Sequence, residues 1–160
     1  MATGKPFGLV PGHTSSIRRI EAGMLSYHAD MDINTNPYEL GLDRLVDIEM
    51  EANFVGKAAL NRIAKEGVGR MQVGLEIGGE PLPGPNTEFW PVTLAGKHVG
   101  KVTSATHSPR LDANIALAMI GAELTAVGTQ VAIDTPSGSR VAKVVPKPFY
   151  DPSKKLPNTA

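Results

Sequence analysis

From Gly69 onward the chain is cut into short apolar runs, and that pattern limits what it can fold into. The runs are "RMQVGLEI" (70–77), "FWPVTL" (89–94), "KHVGKVTSA" (97–105), "NIALAMI" (114–120), "TQVAID" (129–134) and "SRVAKVV" (139–145). Turn signals separate them: Gly78-Gly79, "PLPGPN", Ala95-Gly96 and "PSG". Short β-rich runs between Gly and Pro breaks predict an antiparallel all-β unit, a compact barrel or sandwich of about six strands. The tail "PKPFYDPSKKLPNTA" is proline-rich, and its end is expected to fray.

Before Gly69 the texture differs. Residues 1–13, "MATGKPFGLVPGH", read as a lead-in segment rather than a packed element. A helix is expected after Thr14 or Ser15, either of which can cap it. Ile17, Ile20, Met24 and Leu25 make its apolar arc, and Gly23 weakens its end. "MDINTNPYE" reads as a loop, since Asn34, Asn36 and Pro37 favour turns. "LGLDRLVDIE" alternates in part, with Leu42, Arg44, Val46 and Ile48 on one side, and predicts a strand. "NFVGKAALNRIAKEG" predicts a helix capped by Asn53, striped by Val55, Ala59, Leu60 and Ile63, and stopped by Gly67. The expectation is an α+β chain: helix, loop, strand and helix over 1–69, a β-barrel over 70–152 and a frayed tail over 153–160.

Charge and composition narrow the function. Lys plus Arg and Asp plus Glu both number 16, so the net charge is zero. That argues against nucleic acid or an anionic membrane as partner. No apolar run approaches a membrane span, and no signal-peptide layout is visible, so a cytoplasmic protein is expected. The absence of cysteine excludes disulfides and thiolate chemistry. His13, His28, His98 and His107 make no i, i+4 pair, so no zinc site is expected. No G-x-S-x-G elbow accompanies Ser104, Thr106 or Ser108, and "GGEPLPGPN" lacks the Lys-Ser/Thr of a phosphate loop. Arg110 is expected to be a surface ion-pair partner, and Trp90 to be core.

One carboxylate stands out. With Ile17 at zero on a helical wheel, Ile20 falls at about −60°, Met24 at about −20°, Leu25 at about +80° and Glu21 at about +40°. Glu21 therefore sits inside the apolar arc. Either it pairs with Arg18 at the surface, or it is buried with partners of its own.

The segment "RRIEAGMLSYHADMDINTNPYELG" resembles the aminomethyltransferase family, the glycine cleavage T-proteins and their relatives. The likeness runs through Arg19-Ile20-Glu21-Ala22-Gly23, Ser26-Tyr27-His28, Asp30 and Thr35-Asn36-Pro37-Tyr38-Glu39. "FVGKAAL" (54–60), "GKVTSATHSPRLDANIALAMI" (100–120) and "VVPKPFYDP" resemble further family motifs in the same order. The resemblance extends from about residue 12 to 152 and is to the C-terminal part of the family only. Two positions differ from the glycine-cleavage members: Ser15 replaces an arginine, and Arg44 replaces an aromatic residue. With those changes the chain looks at least as similar to folate-dependent demethylases of the same fold.

The resemblance implies a C-terminal portion of a tetrahydrofolate-dependent one-carbon transferase. Its N-terminal half, or a separate chain supplying it, would be the partner, and a homodimer is a further expectation. Glu21, Tyr27, Asp30, Glu39, Arg44 and His107 become the candidate cofactor-binding residues. For Asp30 and Glu39, bracing of the loop competes with ligand contact. For Tyr27, core packing competes with ring stacking, and for His107 a solvated turn competes with a pocket position. A non-catalytic folate-binding or assembly module, or a plain interaction barrel, are the alternatives from other classes.

Overall fold

A computed structural model describes residues 2–8, 15–153 and 155. Six strands form a closed antiparallel barrel: β1 (Arg70–Ile77), β2 (Trp90–Leu94), β3 (Lys97–Ser108), β4 (Ala113–Gly121), β5 (Gln130–Thr135) and β6 (Gly138–Val145). Around the barrel the order is β1-β4-β3-β2-β5-β6. The six strands lie where the apolar runs place them. Alternation along each strand sends Val73, Leu75, Val92, Val102, Ala105, Ala116, Ala118, Ile120, Val131, Ile133, Ala142 and Val144 into the interior.

Two helices precede the barrel, α1 (Ser16–Glu21) and α2 (Lys57–Glu66). Ser15 caps α1 by accepting the Arg18 amide at 3.3 Å. The other proposed cap, Thr14, lies outside the described residues, as do His13 and most of the expected frayed tail. Ala2–Phe7 forms a 3₁₀ turn where no element was expected.

Helix α1 lies on the outer face of the barrel. Ile20 packs there on Ile115 and Leu117, with Leu25, Leu111, Ala113 and Phe149 around them. This second layer explains why β4 is buried on both faces and reads as an unbroken apolar run. Gly74 permits the same layering on β1: a Cβ there would lie 3.0 Å from the Phe149 ring.

Two expectations fail in the N-terminal part. The strand over 40–49 is instead a 3₁₀ turn, Asp43–Leu45, in otherwise irregular chain. A closed barrel has no free edge for a seventh strand to pair with, so the alternation finds no ladder. Leu45, on the face opposite Leu42, is exposed. The second helix starts three residues later than Asn53 would cap it, after Gly56 at φ +92°. Lys57 instead turns its Nζ back to the carbonyls of Met50 and Ala52. Gly67 does end α2, at φ +80°. Of the expected stripe, Leu60 and Ile63 are half-buried, whereas Ala59 and Val55 are exposed.

The closest approach in the barrel is at Gly100. A Cβ there would stand 2.2 Å from the Met119 carbonyl oxygen and 2.7 Å from the Ile120 Cα, both backbone atoms of the neighbouring strand. Gly100→Ala should therefore destabilise the barrel by about 3 kcal/mol, through forced separation of β3 and β4. Urea unfolding of the variant checks this. The same substitution at the unobstructed Gly84 should change stability by less than about 1 kcal/mol.

Candidate cofactor-binding site

The outer face of β3 carries a row of hydroxyls. Thr103, Ser104, Thr106 and Ser108 are all buried. Simple alternation would turn Thr103 and Ser104 to opposite faces. A bulge between Val102 and Ser104 breaks the register against β4. Both hydroxyls then reach one carboxylate oxygen, Asp30 Oδ1, donating at 2.6 Å and 2.7 Å.

Asp30 is the centre of that cluster. Its Oδ2 accepts from Arg19 Nη1 at 2.5 Å and from the Ser26 amide at 2.9 Å. Arg19 Nη2 donates to Ser104 Oγ at 2.8 Å, and Nη1 also reaches the Met24 carbonyl at 3.0 Å. Four donors satisfy the hydrogen-bonding capacity of this buried carboxylate. Asp30 thus braces the loop after α1 onto the barrel.

Glu39 is a second brace. Its Oε2 accepts the Asn36 amide at 3.0 Å, while Asn36 Oδ1 accepts the Glu39 amide at 3.0 Å. This reciprocal pair is a capping box on the 37–41 turn. Oε1 takes Arg70 Nε at 2.8 Å, and the Glu39 carbonyl receives the Gln72 amide at 2.7 Å. The turn is thereby fastened to the first strand. Desolvation opposes the rise in the Arg70 pKa, which the hydrogen bond to Glu39 dominates.

Glu21 has a different environment. It is 4% exposed, and its partner is not Arg18. Ser108 donates to Oε1 at 2.6 Å. Oε2 faces Arg110 Nη1 at 3.8 Å, beyond hydrogen-bonding range. Arg110 in turn lies 4.2 Å above the Tyr150 ring, and the Tyr150 and Phe149 amides both donate to the Glu21 carbonyl. Arg110, expected to be a surface ion-pair partner, is exposed and pairs with this buried carboxylate. Ser104 and Ser108 are four residues apart on β3, so the Asp30 and Glu21 carboxylates are anchored roughly 13 Å apart along the strand.

The remaining candidates lie elsewhere. Tyr27 is 55% exposed, so it is not core; it meets His28 edge-on at 4.4 Å. Together they flank a groove against Phe89 and Thr103. Arg44 is exposed on the Asp43–Leu45 turn. His107 is a strand residue rather than a turn residue, half-buried, with Nδ1 3.2 Å from Asn114 Oδ1. It lines a cavity of about 240 Å³ with Glu76, Asp112 and Asn114. The structure thus unites Glu21 and Asp30 on one face of β3 and sets Arg44 and His107 apart from them.

Lys147 was not singled out by the sequence. It follows β6, and its Nζ donates to Gln72 Oε1 at 2.7 Å on the outer face of β1. Burial pushes its pKa down to about 8, partly offset by the negative charge of Asp30. The only sequence signal was its place directly before the "PFY" motif.

Lys147 makes stability depend on pH. Its folded pKa, about 8, is below the ordinary value of 10.5. Between those values the unfolded chain binds more protons than the folded one, so this group makes stability rise with pH from about 8 to about 10.5. Below that window its desolvation cost is fully present. Lys147→Met should remove this rise. Urea unfolding of both proteins across the window measures the difference between the two curves.

The comparisons with known proteins agree with this architecture. The family model described as the glycine cleavage T-protein C-terminal barrel domain matches residues 70–151. An aminomethyltransferase from Synechococcus sp. (strain RCC307) is 42% identical over 132 residues, covering 82% of this chain and 36% of that protein. The dimethylsulfoniopropionate demethylase of Ruegeria pomeroyi is 38% identical over 143 residues, covering 89% of this chain and 38% of that protein. The crystal structure of the glycine cleavage system aminomethyltransferase T from Bartonella henselae superposes with a TM-score of 0.75 at 25% identity, over 84% of this chain and 37% of that one. The chain thus spans little more than a third of the length of these relatives and corresponds to their C-terminal part. It belongs to the glycine cleavage T-protein C-terminal barrel family.

Proposed function

We propose that the chain serves as the C-terminal portion of a tetrahydrofolate-dependent one-carbon transferase, moving a methyl or aminomethyl group. The observation that carries this reading is Glu21. Its carboxylate is buried, and among the described residues only Oε1 receives a hydrogen bond, from Ser108, while Oε2 is ion-paired with Arg110 at 3.8 Å. A carboxylate in that state has acceptor capacity left for a donor-rich edge such as that of a pterin. The Tyr150 ring and the Arg110 guanidinium beside it suit a flat, polar heterocycle. The donor set therefore fits tetrahydrofolate, which when bound supplies the nitrogen that accepts the one-carbon unit.

The protein's own contribution on this reading is positioning. Ser108 fixes the rotamer of Glu21, and the backbone bonds from Phe149 and Tyr150 fix the end of α1. Asp30 and Arg19 hold the loop that follows. A carboxylate held this way orients a bound ring without further ordering at the moment of reaction. The other wall of the pocket is assigned to the preceding portion of such transferases, on the same polypeptide or on a second chain. The names of the relatives favour both aminomethyl and methyl donors, and the choice between them rests with that other wall.

Calorimetric titration with tetrahydrofolate tests the reading on this chain joined to the preceding portion of a relative. Glu21→Gln should weaken folate binding at least tenfold, equivalent to about 1.4 kcal/mol, with a smaller change in unfolding free energy. The 160-residue chain alone should show no turnover with aminomethyl or methyl donors. Micromolar binding with turnover by the chain alone would overturn the half-site reading. Unchanged affinity in the Glu21 variant would remove Glu21 from the site.

A further inference from the structure

Glu21 and Arg110 stand side by side without a hydrogen bond between them. Glu21 Oε1 accepts from Ser108 at 2.6 Å, and Oε2 lies 3.8 Å from Arg110 Nη1. Arg110 in turn rests 4.2 Å from the centre of the Tyr150 ring. About half of its side chain reaches solvent, 49% against 5% for that of Glu21. Among the described residues its guanidinium makes this ion pair and this ring contact but no hydrogen bond. A guanidinium carries five N–H donors and no acceptor, in a planar fork. The cation therefore gives up no hydrogen bond if it shifts, and the Tyr150 ring keeps it parallel as it does so.

The polar atoms follow one another in a fixed order. Glu21 Oε1, on the Ser108 side, is an acceptor with a lone pair to spare. Oε2 is a second acceptor, and Arg110 Nη1 beside it is a donor. A flat ring that matches acceptor, acceptor, donor must present donor, donor, acceptor along one edge. The 2-amino-4-oxo edge of a pterin has that order: the exocyclic amine, the ring N3–H and the C4 carbonyl. A neutral 2,4-diamino edge runs donor, acceptor, donor. It would set the N3 lone pair against Oε2 and an N–H against Arg110. Opposed or unpaired polar groups in a site cost more than a matched pair gains.

We propose that Arg110 is a specificity-determining residue of the Glu21 site: it donates to the 4-oxo group of the bound ring, admitting 4-oxo pterins and rejecting 4-amino ones. The inference rests on the folate reading above and adds to it the recognition of the C4 position. The ring edge arrives from the exposed, Arg110 side. Arg110 moves across the face of Tyr150 to make room, and its N–H then meets the carbonyl next to the N3–H that Oε2 accepts.

The test uses two small probes of the ring edge, 2-amino-4-pyrimidinone and 2,4-diaminopyrimidine, at a mildly alkaline pH where both are mainly neutral. The full chain is titrated with each while the Tyr150 aromatic cross-peaks in a ¹³C spectrum are recorded. The pyrimidinone should saturate the shift with a dissociation constant on the order of 1 mM, and the diaminopyrimidine should bind about tenfold or more weakly. Arg110→Met, at an exposed position, should fold with a melting temperature near that of the parent. It should weaken the pyrimidinone about fivefold or more and leave the diaminopyrimidine no weaker than before. Glu21→Gln separates this proposal from the reading beneath it. Weaker pyrimidinone binding in the Glu21 variant with unchanged binding in Arg110→Met would overturn the role of Arg110 alone. Unchanged binding in the Glu21 variant would overturn both. Equal affinity for the two probes, equal losses for both in Arg110→Met, or a Tyr150 signal that neither probe moves would each overturn the proposal as well.

Discussion

The N-terminal segment depends on one buried carboxylate. Asp30 receives donors from α1, from its own loop and from two consecutive hydroxyls of β3. Without the bulge at Thr103, one of those hydroxyls would face the barrel interior, where an oxygen would have no partner. With it, the barrel presents a polar row that only a matching polar cover can satisfy. Arg19, Asp30 and Glu21 are that cover. This answers why acidic residues stand among apolar neighbours in the 17–41 stretch: they face a wall of donors rather than solvent. The apolar contacts of Ile20 with Ile115 and Leu117 lie between the two carboxylate anchors and exclude water from both.

The two carboxylates divide the work differently. Asp30 has its lone pairs committed to four protein donors, which suits a brace. Among the described residues Glu21 receives one hydrogen bond, from Ser108, and its other oxygen is ion-paired with Arg110 at 3.8 Å, beyond hydrogen-bonding range. An unequal distribution of donors over two similar buried groups separates a structural carboxylate from one with capacity for a ligand. Lys147 is buried on this face as well, with its pKa held down by desolvation and partly restored by the charge of Asp30.

Much of this was legible in the sequence, and the misses have physical causes. The barrel strands were readable because each is a short β-rich run between Gly or Pro turns, and a closed barrel needs little beyond that pattern. Burial of Glu21 was one of two readings the helical wheel left open; its partners, Ser108 and Arg110, are 87 and 89 residues away, a separation no local pattern encodes. The bulge that aligns Thr103 with Ser104 has no signature in "KVTSATHS". The strand expected over 40–49 failed because alternation states a preference, whereas a strand also requires an edge to pair with. Asn53 failed as a cap because Gly56 adopts the positive φ that starts α2 later.

The central claim is that residues 15–41 and the barrel form one cooperative unit, with Glu21 held in place before any cofactor arrives. Native-state amide hydrogen exchange on the 160-residue chain tests it most directly. The account predicts that the amides of Ser26, Asp30 and Asn36, bonded to Asp30 Oδ2, the Ser26 carbonyl and Glu39 respectively, exchange with opening free energies close to those of β3 and β4. The amides of Phe149 and Tyr150, which donate to the Glu21 carbonyl, should behave alike. Rapid exchange throughout 15–41 alongside a fully protected barrel would contradict it: the segment would be a loosely attached arm, and the Glu21 site would not be preorganised.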